Sequence, residues 1–175
     1  MIIVNENIRL REISLADVSD IFFTIDTQRV YLREWLPFVD YTKEENYTRA
    51  FVQGVIDRKE NNYIIQENSK FVGLIGFKDI DTTNRKAEIG YWLSKTAQRK
   101  GIMTQSVKSL LKLGFGEMGL NRIQIKVAVA NSKSRRIPER LGFTLEGIER
   151  DGELLVDNKF TDIVIYGLLK KEFKE

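Results

Sequence analysis

The 175 residues contain no cysteine and no histidine, and only two prolines. Lack of cysteine excludes disulfides, thiolate nucleophiles and cysteine-type zinc sites, and lack of histidine removes the usual general base and the commonest metal ligand. Any catalysis therefore falls to carboxylates, hydroxyls, amines, water or the backbone, and no metal is expected. No apolar run approaches the roughly 18 residues of a membrane span. The N-terminus MIIVNENIRLRE carries neither a basic leader nor a cleavage site, so a cytoplasmic protein without a membrane partner is expected. There is no repeat, low-complexity segment or Gly/Ser-rich linker, hence no visible boundary, and residues 1–175 are expected to form a single domain. The excess of either charge is also small: 28 basic against 25 acidic residues leave a net +3, which only mildly favours an anionic ligand. The two signs are interspersed and no periodic aromatic platform accompanies them, so nucleic acid is not an expected partner.

What is present, 42% hydrophobic and 30% charged residues, suits one compact domain with a real core. Ile8 to Glu12 alternates as a strand, and Ser14-Leu-Ala-Asp17 offers a capping box to a helix with Val18, Ile21, Phe22 and Ile25 on one face. Thr42-Lys-Glu-Glu45 repeats the signal before a helix expected to turn Tyr47, Ala50, Phe51 and Val55 inward. Tyr63–Glu67, Lys70–Lys78 and Lys86–Ser94 are β-type runs with turn residues at each joint. A helix over Met103–Met118 should stop at Gly119, a strand should cover Asn121–Ala130, and a short helix Ser134–Leu141 should stop at Gly142. The last strands are Phe143–Glu146, Glu153–Val156 and Phe160–Leu169, the latter two a hairpin about Asp157-Asn158. Strands first and then strand–helix–strand predict an α/β chain of α+β type: a mixed, mostly antiparallel sheet of about seven strands with helices packed on its faces.

Three stretches carry chemistry. In Gln98-Arg-Lys-Gly-Ile-Met-Thr104 a strand runs through a basic, glycine-containing turn into an amphipathic helix. Gly101 permits a tight backbone path, and the free N–H groups of the helix start point their positive dipole end at whatever occupies the turn. Arg99 and Lys100 add charge, although by itself such a turn is also an ordinary connection with solvated side chains. Glu88-Ile-Gly-Tyr-Trp-Leu93 is an apolar strand whose Tyr91 and Trp92 would suit a core. Asn131-Ser-Lys-Ser134 precedes a short helix, and Asn131 or Ser132 would serve as its cap.

Taken in order, with Arg140-Leu-Gly-Phe143 downstream, these stretches resemble the acyl-CoA site of the GNAT superfamily of CoA-dependent N-acetyltransferases. Arg33-Glu-Trp-Leu-Pro37, Asn84 to Trp92, Leu120-Asn-Arg-Ile123 and Phe143 to Gly147 extend the likeness over nearly the whole chain, toward the RimJ/RimL-type group that acetylates ribosomal-protein N-termini. The resemblance implies the GNAT fold with a splayed central strand pair and helices on both faces, acetyl-CoA as cosubstrate, and an amine acceptor. It implies that amides around Gln98, Arg99, Lys100, Gly101, Ile102, Met103 and Thr104 hold the CoA diphosphate, Met103 standing where the pattern has a small residue. It further implies that main-chain groups of Trp92 and Leu93 pair with the pantetheine arm, that the Leu93 N–H serves the oxyanion, that Asn131 bonds the arm, and that Ser134 lies near the sulfur as acid. Many members have a tyrosine where this chain has Pro138, which leaves the acid role to Ser134. Glu153, and second Glu88, are the implied proton acceptors, each equally readable as a structural or surface carboxylate. Tyr31 and Trp35, beside Arg33, would cover the acceptor entrance, with core packing the other reading of Trp35. Homodimers are common in the group.

The residue set suits an N-terminal amine. With a pKa near 7.7–8, an α-amine is roughly 10–20% neutral at pH 7, whereas a lysine near 10.4 is below about 0.1% neutral. Glutamate with ordered water can deprotonate either, so the ranking excludes neither lysine nor small amines such as polyamines, antibiotics or amino acids. A non-catalytic CoA-binding module is the alternative from another class.

Overall fold

In the computed structural model, which describes residues 1–174, eight strands form one sheet: β1 (Ile2–Ile3), β2 (Ile8–Glu12), β3 (Asn62–Glu67), β4 (Lys70–Asp81), β5 (Lys86–Leu93), β6 (Arg122–Ala128), β7 (Thr144–Leu155) and β8 (Lys159–Leu169). Their spatial order is β1-β2-β3-β4-β5-β6-β8-β7, and the only parallel neighbours are β5 and β6. The mixed, mostly antiparallel sheet is therefore as expected, with one strand more than the seven. Two changes alter the set of strands, one adding a strand and one removing it. A two-residue edge strand pairs with β2, and the expected strands at Phe143–Glu146 and Glu153–Val156 are one strand, β7, carried past two register shifts. Such bulges let a long edge strand bend without breaking its ladder.

The helices α1 (Val18–Thr27), α2 (Arg29–Leu32), α3 (Glu45–Asp57), α4 (Ile102–Phe115) and α5 (Ser132–Arg140) occupy both faces. Strand alternation divides the core: on β3, Tyr63 and Ile65 face the α4 side, and Ile64 faces α1 and α3. The α4 stripe is the expected one, Val107, Leu110, Leu111 and Phe115, all buried. It ends at Phe115 rather than Met118, with Gly116 as its cap, and Gly119 takes its positive φ of 63° in the following turn. The Ser14 signal is also realised, the Ser14 N–H donating to the Asp17 carboxylate at 2.8 Å ahead of α1.

The Thr42 signal is not. The Thr42 hydroxyl donates to the Phe38 carbonyl at 2.9 Å, closing the turn before α3, and α3 begins at Glu45 after Glu44. Its buried stripe is Thr48, Val52 and Val55, narrow side chains that let it lie close on α1. The aromatics expected inside, Tyr47 and Phe51, are 56% and 44% exposed, and both border a cavity described below. Among the described residues no helix is long and apolar enough to cross a membrane.

Candidate active site

The site begins where β5 and β6 part. They pair over three positions only, Lys86↔Arg122, Ala87↔Ile123 and Glu88↔Gln124. Beyond these, β5 stays on β4 as far as Leu93 and β6 stays on β8 as far as Ala128. A wedge with unpaired backbone groups on both walls opens between them, the splay the resemblance implied. Ser94 N–H donates to the Val72 carbonyl at 2.8 Å, on the β4 side. Because ladder bonding alternates along a strand, the Leu93 N–H must face the opposite way, into the wedge.

A cavity of about 530 Å³ runs from the wedge to the start of α4. The helix has Gly101 (φ 75°, ψ 1°) at its N-cap and no side-chain cap, so its first N–H groups are free to serve a ligand rather than a neighbouring hydroxyl. Arg99 shares the left-handed conformation, φ 64°. Two left-handed residues in so short a turn fold the amides around a concavity, the backbone form that favours anions. Gln98, Arg99, Gly101, Ile102, Met103 and Thr104 all line this cavity. Lys100 does not, its ammonium pairing with Glu67 at 2.8 Å. The Met103 side chain is buried in the α4 core, 6% exposed, so its bulk leaves the main-chain donors clear. Tyr31 lies here too, away from the second cavity, its hydroxyl accepting from Gln98 Nε2.

The second cavity, about 550 Å³, lies on the α1 and α3 side of the wedge and contains Glu88 and Glu153. Both cavities are lined by Trp35, Leu36, Tyr91, Trp92, Asn131 and Ser134, so these six residues mark their junction. Trp35 is thus a shared wall and not core packing. At the junction Asn131 Oδ1 accepts from the Ser134 N–H at 3.2 Å, the capping arrangement that the sequence allows, which leaves the carboxamide nitrogen as the group a ligand would meet. Ser134 Oγ donates to the Tyr91 phenol at 3.1 Å, and the phenol donates to the Ser134 carbonyl at 3.3 Å.

The two glutamates differ in state. Glu88, 4% exposed, is committed: Lys78 Nζ lies 2.7 Å from Oε1, and Gln124 Nε2 donates to Oε2 at 3.1 Å. The Glu153 carboxyl makes no hydrogen bond or ion pair among the described residues; the residue is exposed on its strand, but the carboxyl borders the cavity and is partly desolvated there, which pushes its pKa up, Lys78 opposing the rise and the Glu88 charge adding to it. An unpaired carboxylate with raised basicity facing a cavity is the form a proton acceptor takes. Lys78, Gln124 and Tyr91 are members of the site that the sequence did not disclose as such. Lys78 was legible only as the end of a strand, and Tyr91 only as an aromatic fit for a core. Replacing Lys78 by methionine should leave the buried Glu88 charge unmatched. We expect a loss of about 2 kcal/mol, below that of a fully buried pair because the ammonium is largely exposed, read as a lowered denaturation midpoint.

Comparison with known proteins bears on the whole assembly. The family model described as an acetyltransferase (GNAT) domain matches residues 7–144. YdaF of Bacillus subtilis (strain 168) is 35% identical over 176 residues, covering 98% of this chain and 96% of the relative. The ribosomal-protein-serine acetyltransferase of Escherichia coli (strain K12) is 30% identical over 167 residues, with 93% of each chain covered. Among solved structures, RimL, a ribosomal L7/L12 α-N-protein acetyltransferase in complex with coenzyme A, superposes with a TM-score of 0.91 at 28% identity, over 96% of this chain and 97% of that one. With the parted strands, the uncapped helix at one end of the wedge and the match over most of its length, the chain belongs to the GNAT family of N-acetyltransferases.

Proposed function

We propose that the chain works in the cytoplasm and transfers the acetyl group of acetyl-CoA directly to the N-terminal α-amine of a protein, a ribosomal protein being the acceptor that the relatives' names suggest. The observation that carries this is the junction: the uncapped α4 cavity and the Glu153 cavity share a wall at Ser134. The donor set fits the cosubstrate, since free amides at residues 101–104 and Arg99 suit a diphosphate. Acetyl-CoA supplies an activated acyl carbon on a good leaving group. The chain supplies the rest. Glu153, through water or directly, takes the proton of the attacking amine as the N–C bond forms. The Leu93 N–H receives the charge developing on the acyl oxygen. As the C–S bond breaks and its electron pair settles on sulfur, the Ser134 hydroxyl hydrogen-bonds the thiolate, and water restores the thiol proton.

Cysteine and histidine being absent, no acyl-enzyme is expected, and both substrates should be bound together. Initial-rate lines at several fixed acceptor concentrations should intersect; parallel lines would show a covalent carrier.

A polyamine acceptor is the second reading. Glu88 is already neutralised by Lys78, so the acceptor cavity offers one unpaired carboxylate to one amine, with Trp35, Phe38, Tyr47 and Phe51 as apolar walls. Such a lining suits a single amine next to an apolar or small group better than a chain of ammonium groups. The test is acetyl-CoA turnover against peptides beginning with Ser, Ala or Met, beside spermidine and free lysine. Selectivity for the peptides is expected; spermidine as the preferred acceptor would overturn the assignment.

A further inference from the structure

The sequence offers no tyrosine where many relatives carry one, at Pro138, yet a phenol does reach the serine, from the opposite wall of the wedge. Tyr91 stands on β5 and Ser134 in the first turn of α5. The Tyr91 oxygen has two partners on one residue, Ser134 Oγ at 3.1 Å and the Ser134 carbonyl oxygen at 3.3 Å, and a single hydrogen to give. Two arrangements of the pair follow without moving a heavy atom. In one, the phenol donates to the carbonyl while Ser134 Oγ–H points back at the phenol, so the serine has no hydrogen for the cavity. In the other, the phenol donates to Oγ, and the serine hydrogen is free to turn toward the junction.

We propose that Tyr91 is a positioning residue which, by donating to Ser134 Oγ, aims the serine hydrogen at the sulfur as the C–S bond breaks. It rests on the acetyl transfer proposed above. No proton leaves Tyr91: the electron pair of the broken bond settles on sulfur, the Ser134 hydroxyl donates to it, and the phenol is neutral before and after. Burial accords with this, holding the phenol well above its ordinary ionisation range, so that it keeps its hydrogen at every working pH.

The test is a double-mutant cycle on kcat and on the KM for acetyl-CoA, using Tyr91→Phe, which keeps the ring in place, Ser134→Ala, and the two combined. Each single change should lower kcat about 10-fold, the scale of one hydrogen bond gained in the transition state, and leave KM unchanged. The combined variant should be no slower than Ser134→Ala, because the phenol acts only through the serine. Unaltered kcat in Tyr91→Phe would overturn the inference, as would a combined loss equal to the product of the two. A raised KM with a lowered denaturation midpoint would equally replace positioning by mere support. A wild-type protein that acetylates no amine sinks the transfer assignment and this inference together, whereas an active one indifferent to Tyr91→Phe sinks only the latter.

Discussion

Replacing Glu153 by glutamine is expected to lower kcat by about 100-fold or more, the usual contribution of a positioned general base, with little change in affinity for acetyl-CoA. Glutamine preserves volume and hydrogen-bonding shape, so what is lost is the ability to hold the amine proton. The pH profile gives the sharper signature. Partial desolvation at the cavity raises the Glu153 pKa; Lys78 opposes this without cancelling it, and the Glu88 charge adds to the rise. A carboxyl with a raised pKa stays protonated up to a higher pH, so its base form fails earlier as the pH falls. The acid limb of kcat should therefore lie above the 4.3 or so of an ordinary glutamate, and Glu153→Gln should abolish that limb. What remains would follow the acceptor α-amine, near 7.7–8. Glu88→Gln should instead move the limb to lower pH, because a like charge is withdrawn while Glu153 is retained. If Glu153→Gln left both kcat and the acid limb intact, the proton would have to leave by water alone.

The difference between these two glutamates shows what a sequence can and cannot display. Much that depends on local order along the chain was legible: the α4 stripe, the turn at Gly101, the cap at Asn131, the hairpin at Asp157-Asn158, though not the start of α3 or the end of α4. The parting of β5 from β6 followed only from likeness to a family, because nothing local in Glu88–Leu93 says that a strand will lack a neighbour on one side. Side-chain contacts between neighbouring strands were hidden. Lys78 neutralises Glu88 from the adjacent strand and Gln124 holds its other oxygen from β6, contacts between residues far apart in the chain. Tyr91 was invisible for a related reason: an aromatic in an apolar strand is usually packing, and only the return of the chain through α5 brings Ser134 under its hydroxyl. The shifted phase of α3, which keeps Val55 inside, arose because periodicity marks two faces when aromatics and branched aliphatics both recur at helical spacing. Packing on α1 chose the narrower one and left Tyr47 and Phe51 to the Glu153 cavity.

Gly101→Asp should raise the KM for acetyl-CoA by about 100-fold while leaving the protein folded. A Cβ at this position meets only Gln105 Nε2, at an ordinary 3.5 Å, and aspartate is among the residues that best tolerate a left-handed φ. The strain, of order 1 kcal/mol, is opposed by the favourable position of the new carboxylate at the positive end of the α4 dipole. The very features that attract a diphosphate would then be satisfied from within the chain, and an incoming diphosphate would meet a negative charge in a partly desolvated turn. A denaturation midpoint equal to or above that of the parent, together with the lost affinity, would show that the helix start is a ligand site and not simply an unfinished cap. Gly101→Ala supplies the contrast: the same φ strain without a charge should cost about 1 kcal/mol of stability and change KM only slightly. Should the aspartate variant bind acetyl-CoA as the parent does, the amides around residue 101 are not where the diphosphate sits, and the wedge between β5 and β6 would have to be entered from its other end.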